Sequence, residues 1–261
     1  MGVNGLRRRM MQRMETTESF SIAEDPFFAQ DLQQMAKARH YRRWQFRLVA
    51  PYLAGRVLEI GGGIGNFTAD IAGVAESVVS LEPNEYCHRQ LVEKTKSLAN
   101  VTVRNITAEE LDRQMPADYR ADAAVCMNVL EHLADDELAV NTFGKRLKAG
   151  GLLVLLIPAG PWLFGEIDRR LGHYRRYSKP SVRALMQKTG FEIVKLRYFN
   201  FIGLWGWWWN ARVAKKLTQS DFQIRMFDNG IVPWLSRVEA ILPPPVGQSL
   251  LVVARKAADA K

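Results

Sequence analysis

Only two cysteines, Cys87 and Cys126, occur in the 261 residues of the chain. They fall in segments patterned as a helix and a strand, with no spacing that would suit a metal site. This scarcity excludes a disulfide-stapled scaffold, and it predicts a pair of reduced, buried thiols and no bound metal. No apolar run is long enough to cross a bilayer. The most apolar window, Phe199 to Ala211, contains Asn200 and Asn210 and falls short of the roughly 20 residues that a spanning helix needs. No apolar stretch follows the basic N-terminus, as a secretory signal would require. Gly2 is followed by Leu6 where a myristoylation signal needs Ser or Thr. Together these absences predict a cytoplasmic protein. Acidic residues are also outnumbered: 27 Asp and Glu face 36 Lys and Arg, a formal net charge of +9.

The excess base is clustered. Arg7, Arg8, Arg9 and Arg13 form one group, Lys37, Arg39, Arg42, Arg43 and Arg47 a second, and Arg169, Arg170, Arg175, Arg176 and Lys179 a third. Such clusters attract nucleic acid or an anionic membrane surface when they form a patch. The plainer reading, solvated helix faces plus a loose tail, is preferred. Nucleic acid is therefore not an expected partner, and peripheral membrane contact is not favoured. Apolar residues make up 48% of the chain, enough for a buried core.

The pattern divides the chain into a mobile basic tail (1–25), an N-terminal helical cap (26–55) and a catalytic domain (56–261) with an insertion at 200–247. A helical pattern runs from Asp31 to Leu53. Short β-branched runs at Val57 to Ile60, Ser77 to Leu81, Val101 to Arg104, Ala123 to Met127 and Leu152 to Ile157 read as strands. Helical stretches at Asn66 to Ala75, Glu85 to Leu98 and Asp135 to Leu147 alternate with them. A helix from Pro180 to Thr189, capped by Ser178 or Lys179 and ended by Gly190, precedes strands at Glu192 to Phe199 and Ser249 to Ala254. The alternation predicts an α/β, Rossmann-like fold with a mostly parallel sheet covered by helices on both faces.

The first strand runs into Glu59-Ile60-Gly61-Gly62-Gly63-Ile64-Gly65, and the second ends in Ser80-Leu81-Glu82-Pro83-Asn84. Glycines let backbone approach a ligand, and an acid one strand later can accept hydrogen bonds from a ribose diol. A dinucleotide fingerprint would place a third glycine where Asn66 stands. The glycine spacing instead resembles the E-x-G-x-G-x-G signature of class I S-adenosylmethionine-dependent methyltransferases. Asn128-Val129-Leu130-Glu131-His132 and Leu147-Lys148-Ala149-Gly150-Gly151 are similar to that family's fourth- and fifth-strand motifs. The resemblance implies seven strands, the last antiparallel, with S-adenosylmethionine as cofactor. It implies a cofactor site of Glu59, Gly61, Gly63, Gly65, Glu82, Pro83 and Asn128, with Thr107 or Glu109 near adenine. It also implies an N-terminal capping helix from which Tyr41 reaches the cofactor carboxylate. Ordinary helix packing is the other reading of Tyr41 and Trp44.

In this fold ligands bind past the carboxyl ends of the strands, so the segment after the fifth strand faces the acceptor. Asp168 to Ser178 resembles the D-x-x-L-G-H-Y-R-R-Y-S phrase of a bacterial methyltransferase subgroup. Glu166, Asp168, His173, Tyr174 and His132 are the candidates for acceptor binding or proton removal, since histidine changes charge near neutral pH. An ion-paired loop, with Asp168 or Glu166 meeting Arg175 or Arg176, is the competing reading. Six of the seven tryptophans follow position 160. Core packing, an acceptor lid, a membrane interface and a homodimer contact are all open to them. The expected function is methyl transfer to a small-molecule acceptor, an aromatic or heterocyclic, indole-like metabolite. RNA methylation, and a non-catalytic partner or membrane-docking protein of the same fold, are the alternatives.

Overall fold

A computed structural model describes residues 26–212 and 221–257, so the expected mobile tail lies outside the described residues. Helices α1 (Pro26–Lys37) and α2 (Arg39–Val49) precede strand β1 (Arg56–Ile60). Next come α3 (Thr68–Ala72), β2 (Ser77–Leu81), α4 (Glu85–Thr95), β3 (Val101–Arg104), α5 (Leu111–Gln114) and β4 (Ala121–Met127). They are followed by α6 (Asp136–Lys145), β5 (Leu147–Pro158), α7 (Glu166–Arg170), α8 (Lys179–Lys188) and β6 (Phe191–Phe199). The C-terminal part holds α9 (Phe201–Arg212), α10 (Asp221–Met226), a π-helical turn (Phe227–Ile231), α11 (Val232–Ile241) and β7 (Ser249–Lys256).

The seven strands lie in the order β3-β2-β1-β4-β5-β7-β6. The pairs from β3 to β5 are parallel, and β7 inserts antiparallel between β5 and β6. Strand periodicity splits β5 between two cores. Leu153, Leu155 and Ile157 pack with Leu58, Ile60, Phe143 and Met186 on one face. Val154 and Leu156 pack with Val57, Val125 and Val253 on the other, under Trp44, Val49, Ile224, Val232 and Leu235. Burying both faces accounts for the near-continuous apolar runs in the central strands.

Local chemistry fixes the helix ends. Asn84 accepts a hydrogen bond from Cys87 N–H and caps α4, and Asp135 does the same for Leu138 at α6. Ser178 caps α8, whose first turn holds Pro180.

Three differences from the sequence pattern have physical causes. The helix expected from Asp31 to Leu53 breaks at Ala38, whose ψ of 74° is not helical. Buried Asp228 accepts from His40 and Tyr41 N–H across this break and so caps α2. Strand β5 begins at Leu147 instead of Leu152, because Leu147 pairs with Ala121 ahead of an irregularity. The insertion at 200–247 contributes to a core wall, since Ile224, Val232 and Leu235 pack on the sheet beside α2.

Candidate active site

At the end of β1 the chain turns sharply: Gly61 and Gly62 N–H both donate to the Leu81 carbonyl at 2.9 Å. Gly61 has φ of 75°, and a Cβ there would lie 2.3 Å from Val129 Cγ2. Both facts favour glycine. Gly63, at φ 56°, is different, because a Cβ there would meet only Leu32 of α1, at 3.6 Å. Its open side forms a cradle under the α1 helix.

Glu82, just past β2, faces this bend. Its Oε2 accepts from Gly63 N–H at 2.7 Å and its Oε1 from Asn84 N–H at 2.9 Å. Burial raises its pKa, and these two backbone donors oppose the rise. Each carboxylate oxygen keeps further acceptor capacity, so the carboxylate is aimed before any diol arrives. Pro83 beside it is exposed, and the Asn105 amide donates to the Glu82 and Pro83 carbonyls.

Glu59 sits underneath the bend. It is buried, and its Oε2 accepts from Thr68 Oγ1 at 2.7 Å and Ser80 Oγ at 2.6 Å. Burial raises its pKa against those bonds. Its visible role is to brace the loop. Gly65 turns with φ of 77° at the far end of the bend. Asn128 is exposed after β4 with φ of 54°, a conformation asparagine tolerates, and its N–H donates to Leu156.

Thr107 and Glu109 divide. Thr107 exchanges two hydrogen bonds with Glu110, while Glu109 is exposed. The T-x-x-E spacing of Thr107 and Glu110 is the sequence signal for this reciprocal cap. Tyr41 is buried, and its hydroxyl accepts from the Asn200 amide at 3.3 Å. Its neighbour Trp44 packs edge-on against Phe199. Helix packing thus describes both residues. Arg42, read as part of a solvated basic face, instead donates Nη1 to the Asn66 carbonyl on the glycine loop. Its buried Nε finds no acceptor among the described residues. Lys94 of α4 lies by Gly65, and its pKa is lowered by burial and then by Arg42.

A second group of side chains gathers beyond β4 and β5. Asp168 is fully buried and caps Gly165 N–H. Its Oδ1 accepts from Arg176 Nε at 2.7 Å and lies 3.0 Å from His173 Nδ1. Burial alone would raise the Asp168 pKa, but the bonds from His173 and Arg176 prevail and lower it. An ionised Asp168 can only accept, so His173 Nδ1 carries the proton and Nε2 is left as the basic nitrogen. The Arg176 guanidinium also reaches the Ala159 carbonyl and lies 4.6 Å from the Trp207 ring centroid.

The His132 and His173 rings meet edge to face at 4.7 Å. Burial, with help from His173, pushes the His132 pKa down to about 3, against a hydrogen bond to the Gly172 backbone. Beside them Glu131 is 1% exposed, and burial pushes its carboxyl up to about 7. Its backbone carbonyl accepts from Tyr174 N–H and ties the two loops together. The fold therefore brings Asp168, His173 and His132 into one cluster and adds Glu131. Glu166 stays outside in loose pairs with Arg169 and Arg170, and the Tyr174 side chain is exposed.

A family model described as "Methyltransferase domain" matches residues 28–196. The chain belongs to this methyltransferase family. Its seven-stranded sheet is the class I S-adenosylmethionine-dependent methyltransferase fold. The N-methyltransferase NodS of Bradyrhizobium japonicum, solved with S-adenosylhomocysteine, is 16% identical with a TM-score of 0.53, covering 95% of this chain and 97% of that one. A SAM-dependent methyltransferase from Archaeoglobus fulgidus is 18% identical with a TM-score of 0.58, covering 89% and 100%. Both show the shared fold. Among curated relatives, the ubiquinone biosynthesis O-methyltransferase of Rhizobium etli is 37% identical over 99 residues, 38% of this chain and 39% of that protein. The protein of the same name from Paracidovorax citrulli is 25% identical over 147 residues, 51% and 61% of the two chains. The chain thus spans about two to three fifths of the length of these relatives.

Proposed function

We propose that this methyltransferase moves a methyl group from S-adenosylmethionine to a hydroxyl oxygen of a small aromatic or heterocyclic acceptor. The observation that carries the cofactor half is Glu82, buried and held on both oxygens by backbone N–H groups beside the glycine bend. Such a carboxylate suits the two hydroxyls of a ribose. The open side of Gly63 leaves room for the nucleoside, and the Arg42 Nε without an acceptor, with Lys94 nearby, suits the cofactor's carboxylate. When bound, S-adenosylmethionine supplies a methyl group made electrophilic by its sulfonium.

The remaining chemistry belongs to the chain. Asp168 holds the His173 ring and its tautomer, so that Nε2 can take the acceptor's hydroxyl proton. Arg176 balances the Asp168 charge, and beside His173 lie His132, uncharged at neutral pH, and Glu131, partly protonated there. The names of the curated relatives, which are O-methyltransferases, support an oxygen acceptor. The tryptophan segment gives no support to an indole-like one, because Trp205 and Trp209 are half exposed.

Transfer of labelled methyl to a panel of phenols, catechols and indoles, with a structured RNA as comparison, tests the reading. Methylation of a phenolic oxygen is expected. Labelling of RNA alone, or of no acceptor in a chain that binds S-adenosylhomocysteine, would overturn it.

A further inference from the structure

Glu131 and His132 follow β4, while His173 lies beyond α6, β5 and α7, so no local motif announces them as a group. In the fold, one ligand-type atom from each lies within 4.8 Å of the others. We propose that Glu131, His132 and His173 bind a divalent first-row transition-metal ion. Two imidazoles and one carboxylate suit zinc, cobalt, manganese or iron better than magnesium or calcium, and leave coordination positions open for a ligand.

Three observations support this site. Glu131 Oε2 is buried and has no hydrogen-bond partner among the described residues, a costly state that a cation would relieve. Asp168 accepts a hydrogen bond from His173 Nδ1–H and fixes the ring, as the outer partners of metal-bound histidines do. His132 is likewise anchored, by its hydrogen bond to the Gly172 backbone. Arg176, which helps to lower the Glu131 pKa, is already engaged by Asp168 and Trp207. Donors around one ion sit about 2.0–2.2 Å from it, so binding draws the three groups slightly closer. His173 follows Gly172, whose φ of 75° marks a tight turn there.

With His173 Nε2 occupied as a ligand, the ion would replace it as the group that activates the acceptor, holding the oxygen and lowering the pKa of that hydroxyl; this role rests on the methyltransferase reading, and the binding site does not. The full chain, stripped with chelator and free of any histidine tag, is titrated with Co2+ and followed by visible absorption. One saturable equivalent is expected, weakened at least tenfold in both Glu131→Gln and His173→Gln, with S-adenosylhomocysteine binding unchanged in both. No saturable cobalt uptake by the wild-type chain, or equal uptake by both variants, overturns the site. Failure of the wild-type chain to bind S-adenosylhomocysteine while cobalt binds would strike the cofactor reading alone.

An independent observation concerns residues 221–241, where α10, the π-helical turn and α11 run on without a break. The outer face carries Phe222 at 71% exposure, Ile241 at 88%, and Met226, Trp234 and Val238, with Leu242 just beyond. The acids of this helix are occupied elsewhere. Asp228 caps α2, Glu239 caps α9 through Asn200 and Phe201 N–H, and Asp221 pairs with Lys37. The charges left on the exposed side are Arg225 and Arg237.

From this apolar, cationic face we infer peripheral docking on an anionic lipid surface, the contact that the basic clusters alone did not favour. A second copy is a poorer occupant, because self-association would bring like charges together. Flotation with phosphatidylcholine vesicles, with and without phosphatidylglycerol, is the test. Binding only to the anionic vesicles, lost at high salt and reduced at least fivefold by Trp234→Ser with Ile241→Ser, is expected. No binding to anionic vesicles, or a dimer abolished by the same substitutions, overturns the inference.

Discussion

The proposed cofactor side and the proposed acceptor side of the site are built on different plans. On the cofactor side the polar groups come from short stretches and are satisfied by close neighbours: Glu82 by the Gly63 and Asn84 backbone N–H groups, Glu59 by the Thr68 and Ser80 hydroxyls. On the acceptor side ionisable groups from distant stretches are pressed together under burial, and Glu131 and His132 are pushed in opposite directions, up to about 7 and down to about 3. The first plan suits recognition of a fixed ligand. The second suits movement of a proton, which needs groups whose charge can change.

The comparison breaks most visibly at His173. His173→Gln is expected to lower methyl transfer by about 10²–10⁴-fold while leaving S-adenosylhomocysteine affinity within about twofold. Equal losses in both would place His173 on the cofactor side. Glu82→Gln should do the reverse and weaken S-adenosylhomocysteine about 100-fold by calorimetry, roughly 2.7 kcal/mol. An amide cannot accept on both ends as the carboxylate does for Gly63 and Asn84.

A smaller effect sharpens the account of the buried pair. The Glu131 pKa is about 7 in the fold against an ordinary 4.5. Over that window the folded chain keeps a proton that the unfolded chain has released, so stability falls as pH rises. The His132 pKa is about 3 in the fold against 6.5. Over that window the unfolded chain holds the extra proton, so stability rises with pH. The two trends oppose each other wherever the windows overlap. Relative to the wild-type chain, Glu131→Gln should steepen the rise of stability with pH by about 1.4 kcal/mol per pH unit in urea unfolding with chelator present. A slope equal to that of the wild-type chain between the two Glu131 values would contradict the raised pKa of Glu131. The smallest effect belongs to Glu166, whose pairs with Arg169 and Arg170 are exposed. Glu166→Gln should change stability by less than about 1 kcal/mol and leave turnover within about twofold. A larger loss of turnover would return Glu166 to the acceptor site.

The same contrast explains what the sequence could reveal. Strands β2 and β3 match their pattern end to end, because compact β-branched runs mark both, although β3 lies at the sheet edge and is only half-buried. The glycine bend and Glu82 are legible because each lies in one short phrase beside a strand. Glu131 stood in plain view within Asn128 to His132, yet its burial depends on His173 and Arg176 arriving from another loop. Arg42 looked like one more solvated base, because only the packing of α2 brings it to Asn66. The short helices α5 and α7 leave no readable period in four or five residues. The outer face of α10 and α11 was hidden differently: its acids are spent on helix caps that only the fold discloses.

The central claim is that the glycine bend and Glu82 together hold an adenosyl cofactor. Calorimetric titration of the intact wild-type chain with S-adenosylhomocysteine, beside an identical titration with NAD, tests it most directly. Saturable one-to-one binding of S-adenosylhomocysteine and none of the dinucleotide is the predicted result. Binding of NAD with no heat from S-adenosylhomocysteine would contradict the account.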